Sequence, residues 1–232
     1  MREIALDTET TGLDPLTGDR IVELGAVELF NHMPTGRTFH RHVNPQRAVP
    51  EEAVAVHGLT TAFLSDKPVF TAVVDEFLAF IGDARLVIHN AAFDMKFLNA
   101  ELGWANRPIL PAGRALDTLD IARRRFSGAN NTLDGLCRRF GIDNSGRVKH
   151  GALLDSELLA EVYLELIGGR QPDLTLTVAA TEASRGAAPW TPPPRPRPLA
   201  GRIASAEAEA HARFVAELGA GAIWARYAAP AD

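Results

Sequence analysis

Cysteine is almost missing from this chain. Cys137 stands alone, so no internal disulfide can form, and that fits a reducing cytosol. Long apolar runs are missing too. None approaches the roughly 20 residues that span a bilayer, and the first residues lack the basic start and apolar stretch of a signal peptide. A cytoplasmic protein with no membrane partner is the expectation. Excess positive charge is also absent. The formal net charge of -5 excludes a general polyanion binder; any nucleic acid would need metals and a few local cations to offset its phosphates. What is present, 46% hydrophobic residues among 232, suffices for one domain, or one domain and a tail.

The chain is organised around Asp7-Thr8-Glu9-Thr10-Thr11-Gly12, which follows the short apolar run Ile4-Ala5-Leu6. That run predicts a strand. Strand side chains alternate, so Asp7 and Glu9 share a face. Two carboxylates side by side repel each other and call for a cation, most naturally divalent metal, which takes oxygen ligands. An exposed strand end with two solvated acids is the other reading of a lone Asp-x-Glu. Arg20 to Phe30 predicts a second strand, Pro34-Thr35-Gly36 punctuates, and Thr38 to Val43 alternates as a third, giving an antiparallel meander. Pro50-Glu51-Glu52-Ala53 predicts a helix start with Pro just inside, and Gly58 its stop.

Apolar spacing predicts a helix over Val69 to Ile81, ended by Gly82. Arg85 to Asn90 predicts a short strand running straight into a helix with Phe93, Phe97, Leu98 and Leu102 on one side. Asp94 falls on that apolar stripe, where a carboxylate is costly without a partner. Ala115 to Thr118 predicts a strand, followed by helices over 119–126 and from Asn131 to Gly141, with Cys137 a small core residue rather than a nucleophile. The longest amphipathic helix carries Leu158, Leu159, Val162, Tyr163 and Leu166. Asp155 lies on the same stripe, and His150 falls on the loop before it.

Asp7, Glu9, Asp94 and Asp155 are thus four acids beside apolar faces, and they suggest one converging site. Two cations roughly 4 Å apart suit phosphoryl transfer. His150 adds a group that titrates near neutrality and can take a proton from water, although a surface histidine with no such role fits the same position.

Three ordered segments carry a resemblance: Asp7 to Gly12, then Val87-Ile88-His89-Asn90-Ala91-Ala92-Phe93-Asp94, then His150-Gly151-Ala152-Leu153-Leu154-Asp155. They resemble the exonuclease motifs of the DEDD superfamily, histidine branch, and within it the proofreading epsilon subunits of bacterial DNA polymerase III. The match runs from about Ile4 to Gly169. It implies an α/β, ribonuclease-H-like mixed five-stranded sheet flanked by helices, and 3'→5' removal of nucleotides from a single-stranded or mismatched DNA 3' end with two Mg2+ or Mn2+ ions. By position, Asp7, Glu9 and Asp155 would hold the first metal, Asp7 would bridge to the second, and Asp94 would act partly through water. His150 would be the general base. Thr10, Thr11, His57, Asn90 and Phe93 would line the terminal nucleotides; His57 also fits a helix-end histidine and Phe93 a core aromatic.

The composition changes after Gly169. Seven of the fifteen prolines lie between Gln171 and Arg202, which predicts an extended linker, more proline-rich than the resemblance would suggest. Domains are expected at 1–169 (exonuclease), 170–204 (linker) and 205–232 (polymerase docking). Gln171, Leu174 and Leu176 resemble a short sliding-clamp-binding motif. Ser205 to Leu218 regains helical spacing, and the stretch containing Phe214, Leu218 and Trp224 resembles the segment that binds the polymerase alpha subunit; packing back onto the core is the other reading. Two rival functions remain open here. Superfamily relatives trim RNA, and a replisome adaptor would join clamp and polymerase without chemistry, although the complete acidic set with His150 argues against the adaptor.

Overall fold

The computed structural model describes residues 1–147, 149–169, 203–219 and 223. Five strands form one sheet: β1 (Arg2–Thr10), β2 (Ile21–Phe30), β3 (Met33–His42), β4 (Arg85–Ile88) and β5 (Ala115–Asp117), in the order β3-β2-β1-β4-β5. β1 lies at the centre, antiparallel to β2 and parallel to β4. Seven helices accompany the sheet: α1 (Glu51–His57), α2 (Thr61–Leu64), α3 (Phe70–Ile81), α4 (Ala91–Trp104), α5 (Thr118–Arg125), α6 (Leu133–Phe140) and α7 (Ala152–Leu166).

β1 is buried on both faces because its apolar residues alternate between two cores. Ile4 and Leu6 pack with Leu24, Phe39, Phe77, Ile88, Phe97 and Leu98. Ala5 turns the other way and packs with Val27, Val87, Leu136, Leu159 and Val162. Each fully buried Leu or Phe side chain is worth about 2 kcal/mol in area removed from water. Cys137 is a fully buried member of the second core, and burial pushes its thiol up to about 11. That is the chemistry of an inert core residue, as its position in the helical stripe suggests.

The predicted meander exists, but its turn lies elsewhere. Asn31 and His32 adopt left-handed φ angles of 49° and 68°, and the hairpin closes there. Pro34 belongs to β3, paired with Leu29 beside an irregularity in register. β3 is an edge strand, where a proline lacking its N–H breaks no central ladder; composition alone made Pro34-Thr35-Gly36 look like the turn. Pro50 is likewise outside α1, at its N-cap, not inside it. Gly58 ends that helix at φ 79°. β3 begins at Met33, five residues before the expected Thr38, and β1 runs on past Leu6 to Thr10; β2, β4, β5, α3, α5 and α6 lie within two residues of their expected ends.

A separate helix, α8 (Ser205–Glu217), stands in the C-terminal part of the chain. Glu207 accepts a hydrogen bond from the Ala204 N–H at 2.9 Å and so caps its start. Phe214 and Leu218, four residues apart, are 54% and 50% exposed. Gln171, Leu174, Leu176, Trp224, Tyr227 to Asp232 and all but the last two residues of the expected linker lie outside the described residues. Among the described residues, no helix is long and apolar enough to cross a membrane.

Candidate active site

Strand pairing sets the first two acids. Asp7 stands opposite Gly25 and Glu9 opposite Glu23, so both acids lie on the sheet face that α7 covers. α7 comes unusually close at this point. A Cβ on Gly25 would lie 2.1 Å from the Ala152 carbonyl carbon, so only glycine permits the approach. Glu23 accepts the Ala152 N–H at 3.1 Å, and the Ser156 hydroxyl donates to the Gly25 carbonyl at 2.9 Å. These bonds pin the start of α7 to β2 and place Asp155, 1% exposed, in its first turn.

Asp94 arrives from the other side of the sheet. β4 ends at Ile88, and α4 begins after Asn90, held at a left-handed φ of 68°. Asp117 on β5 accepts the N–H groups of Asn90 and Ala91, both at 3.0 Å. It also accepts the Leu119 N–H at 2.8 Å, capping α5. Asp94, 3% exposed in the first turn of α4, accepts the Thr8 N–H at 3.1 Å and the Thr8 hydroxyl at 2.7 Å. Asp94 and Asp155 thus each occupy a helix N-terminal turn, where the partial positive charge of the free N–H groups favours a carboxylate.

The four acids and His150 line one cleft of about 980 Å³, together with Asn90 and Phe93. A second cleft of about 500 Å³ holds Thr10, Thr11 and His57, and the two share Glu9 and Phe93. Every substrate-lining residue expected from the sequence therefore borders one of two adjoining clefts. His57 accepts the Leu59 N–H on Nδ1 at 3.0 Å, and burial lowers its pKa. Phe93 packs on Phe97 with ring centres 5.0 Å apart, so it is both a core aromatic and a cleft wall.

The cleft is short of positive charge. Burial, then Asp94, Glu9 and Asp155, hold the Asp7 carboxyl well above the usual range. Burial and the charges of Asp155 and Glu23 push Glu9 up to about 8. Burial raises Asp94 to about 7 even though the Thr8 hydrogen bonds oppose it. Asp155 goes the other way: burial would raise it, but the hydrogen bonds and charge of Arg147 outweigh that and lower it.

Arg147 is the residue the sequence did not announce. Its side chain is 7% exposed. It donates to both oxygens of Asp155, at 2.5 and 2.7 Å, and pairs with Asp134 at 2.8 Å. It also lies 2.8 Å from His150 Nδ1. A guanidinium only donates, so Nδ1 is the acceptor and the neutral ring carries its proton on Nε2. Arg147 sits in a loop with no periodicity to mark it. Its one signal was its place three residues before His150. Glu23 and Asp117 were equally unmarked, each lying inside a predicted strand.

Glu9, His150 and Asp155 each offer a ligand atom within 4.8 Å of the others. Acids that stay protonated for lack of a cation, arranged as hard oxygen donors, fit divalent ions.

The family model described as "Exonuclease" matches residues 4–163. The chain is 52% identical over 187 residues to the DNA polymerase III subunit epsilon of Rickettsia felis, covering 79% of this chain and 82% of that one. It is 45% identical over 194 residues to the subunit epsilon of Escherichia coli, covering 81% and 80%. Among solved structures, it resembles exonuclease X in complex with 5' overhanging duplex DNA at 25% identity, with a TM-score of 0.55 over 72% of this chain and 90% of that one. It shares its fold with the nuclease domain of 3'hExo, a DEDDh family member bound to rAMP, at 19% identity, with a TM-score of 0.62 over 72% and 91% of the two chains.

Proposed function

The chain belongs to the exonuclease family, and we infer on that footing that it is the 3'→5' proofreading exonuclease, the epsilon-type subunit, of a bacterial DNA polymerase III. One observation carries the assignment of its chemistry. Segments far apart in sequence, the end of β1 and the first turns of α4 and α7, bring four acids and a histidine to a single cleft.

Asp7, Glu9 and Asp155 would hold a first Mg2+ or Mn2+ ion, Asp7 would reach a second, and Asp94 would contribute partly through water. When bound, such ions activate water and stabilise the leaving oxygen of the phosphodiester. The chain's own residues do the rest. Asp94 is fixed by Thr8, and Asp155 by α7, so neither has to be ordered when substrate arrives. His150, 48% exposed at its side chain, takes the water's proton in its neutral form. For Nδ1 to serve, Arg147 must let go of it; Nε2 already carries a proton. Thr10, Thr11 and His57 in one cleft, Asn90 in the other, and Phe93 between them hold the terminal nucleotides.

DNA is the substrate, and the partner surfaces lie in the tail. Phe214 and Leu218 would dock the polymerase alpha subunit together with Trp224, and the exposure of Phe214 on α8 and of Leu218 at its C-cap supports this. Gln171, Leu174 and Leu176 would engage the sliding clamp. Residues 1–169 form the nuclease, 170–204 the linker and 205–232 the docking segment, working in the cytoplasm.

The test is direct. With Mg2+, the purified chain should shorten single-stranded DNA from its 3' end and remove a mismatched primer terminus faster than a paired one. Asp7→Ala should slow cutting by about 10³-fold or more. Cutting by that variant at the parent rate would remove Asp7 from the metal site.

A further inference from the structure

The sheet face that carries Asp7 and Glu9 continues across β2 onto β3. Glu23 stands beside Glu9, and His42 beside Glu23. In the neighbouring row, Gly25 stands beside Asp7, and His40 beside Gly25. Gly25 has no side chain, so nothing separates His40 from Glu23. His40 Nε2 lies 2.6 Å from Glu23 Oε1, and His42 Nε2 lies 3.5 Å from the same oxygen. One ligand atom from each of the three falls within 4.8 Å of the others.

We propose that Glu23, His40 and His42 form a metal site of their own, selective for zinc-class transition ions and separate from the nuclease acids. Zinc binds imidazole nitrogen and carboxylate oxygen at about 2.0–2.2 Å, which sets tetrahedral donors about 3.4 Å apart. The spacings of 2.6 and 3.5 Å bracket that value. Two imidazoles and one carboxylate are a donor set for zinc, whereas the all-acid group beside it suits magnesium or manganese. The carboxylate is held for the purpose. Its side chain is 7% exposed, and its second oxygen accepts the Ala152 N–H, the kind of outer bond that orients a ligand. His42 packs edge-on against Phe63 with ring centres 5.0 Å apart. The side chains of His40 and His42 are 36% and 26% exposed, so an ion can enter from solvent and water can complete its shell. The Glu23 bond to Ala152 ties this site to the helix that carries Asp155.

The site does not depend on the nuclease reading, and its test keeps the two apart. The full chain and its Asp155→Asn variant, which removes a donor from the cleft, should be titrated with Zn2+ by calorimetry in excess Mg2+. One Zn2+ per chain is expected. His40→Gln and His42→Gln should each weaken it about tenfold or more, and Asp155→Asn should leave it in place. Equal zinc uptake by both histidine variants, or none by the parent chain, would overturn the proposal. A measurement without any variant guards against misfolding. Co2+ added to the parent chain in excess Mg2+ should give the intense visible bands of a tetrahedral histidine-ligated ion; the weak spectrum of an octahedral ion would count against the site.

Discussion

Arg147 grips both oxygens of Asp155 and also reaches Nδ1 of His150. The most buried cation of the cleft therefore occupies the acid expected to hold metal and the histidine expected to move a proton. A guanidinium and a divalent ion compete for Asp155.

Arg147→Gln should separate the two demands. Without metal, the variant leaves Asp155 buried and unpaired, a loss of about 3–5 kcal/mol for a broken buried pair, and its Tm should drop. Mn2+ affinity should rise several-fold, because the ion no longer displaces a guanidinium. Calorimetry with Mn2+ and a thermal melt measure both. Weaker Mn2+ binding would mean that Arg147 supports the ions rather than competing with them.

The raised acids set a pH dependence. Glu9 titrates at about 8 in the folded chain and Asp94 at about 7, against ordinary values of 4.5 and 3.8. An acid with a raised folded pKa favours folding while it is protonated. That contribution is lost as pH climbs from the unfolded value through the folded one. The metal-free chain should therefore lose several degrees of Tm between about pH 5 and pH 8. Divalent ions bind the ionised forms, so the Tm gain on adding Mn2+ should grow over the same interval. Asp155, with its lowered pKa, acts only at the acid end, where its protonation costs stability. A Tm shift from Mn2+ that stays constant from pH 5 to 8 would contradict this account.

Gly25→Ala should injure the site from a distance. The new methyl would meet the Ala152 backbone at about 2 Å, and backbone cannot step aside as a flexible side chain can. α7 must lift or β2 must bend, and overpacking of this kind costs about 1–3 kcal/mol or more. Exonuclease rate should fall much further than stability, because Asp155 moves with α7. Rate and Tm measured on the same preparation would show the split; a variant with the parent rate would mean that the close approach is dispensable.

Phe214→Ala with Leu218→Ala should abolish capture of the alpha subunit in a pull-down while leaving single-stranded DNA degradation unchanged. Phe214 on α8 and Leu218 at its C-cap are both half exposed, so the double change removes little buried packing from that helix. Retained capture would place the contact elsewhere in the tail.

The four candidate acids were legible because each broke a local pattern. Asp7 and Glu9 share a face by strand alternation, and that alternation survives in the sheet. Asp94 and Asp155 interrupt apolar helical stripes, and both are buried as those stripes required. Arg147 breaks nothing, since a loop arginine violates no periodicity; only the folded chain brings it to Asp155. Glu23, His40 and His42 were hidden for a related reason. Their proximity depends on a hairpin register, and the sequence put the turn at Pro34-Thr35-Gly36 when Asn31 and His32 make it. Pattern reveals a residue that conflicts with its own element, but not one whose partner lies on another.

Asp117 fastens the starts of α4 and α5 with one carboxyl group. An edge strand only three residues long thereby works as the anchor bolt for Asp94, which bonds Thr8 two strands inward. Damage at that rim would leave the hydrophobic interior standing while letting the α4 acid drift out of alignment, so fidelity would be expected to fail before the fold does.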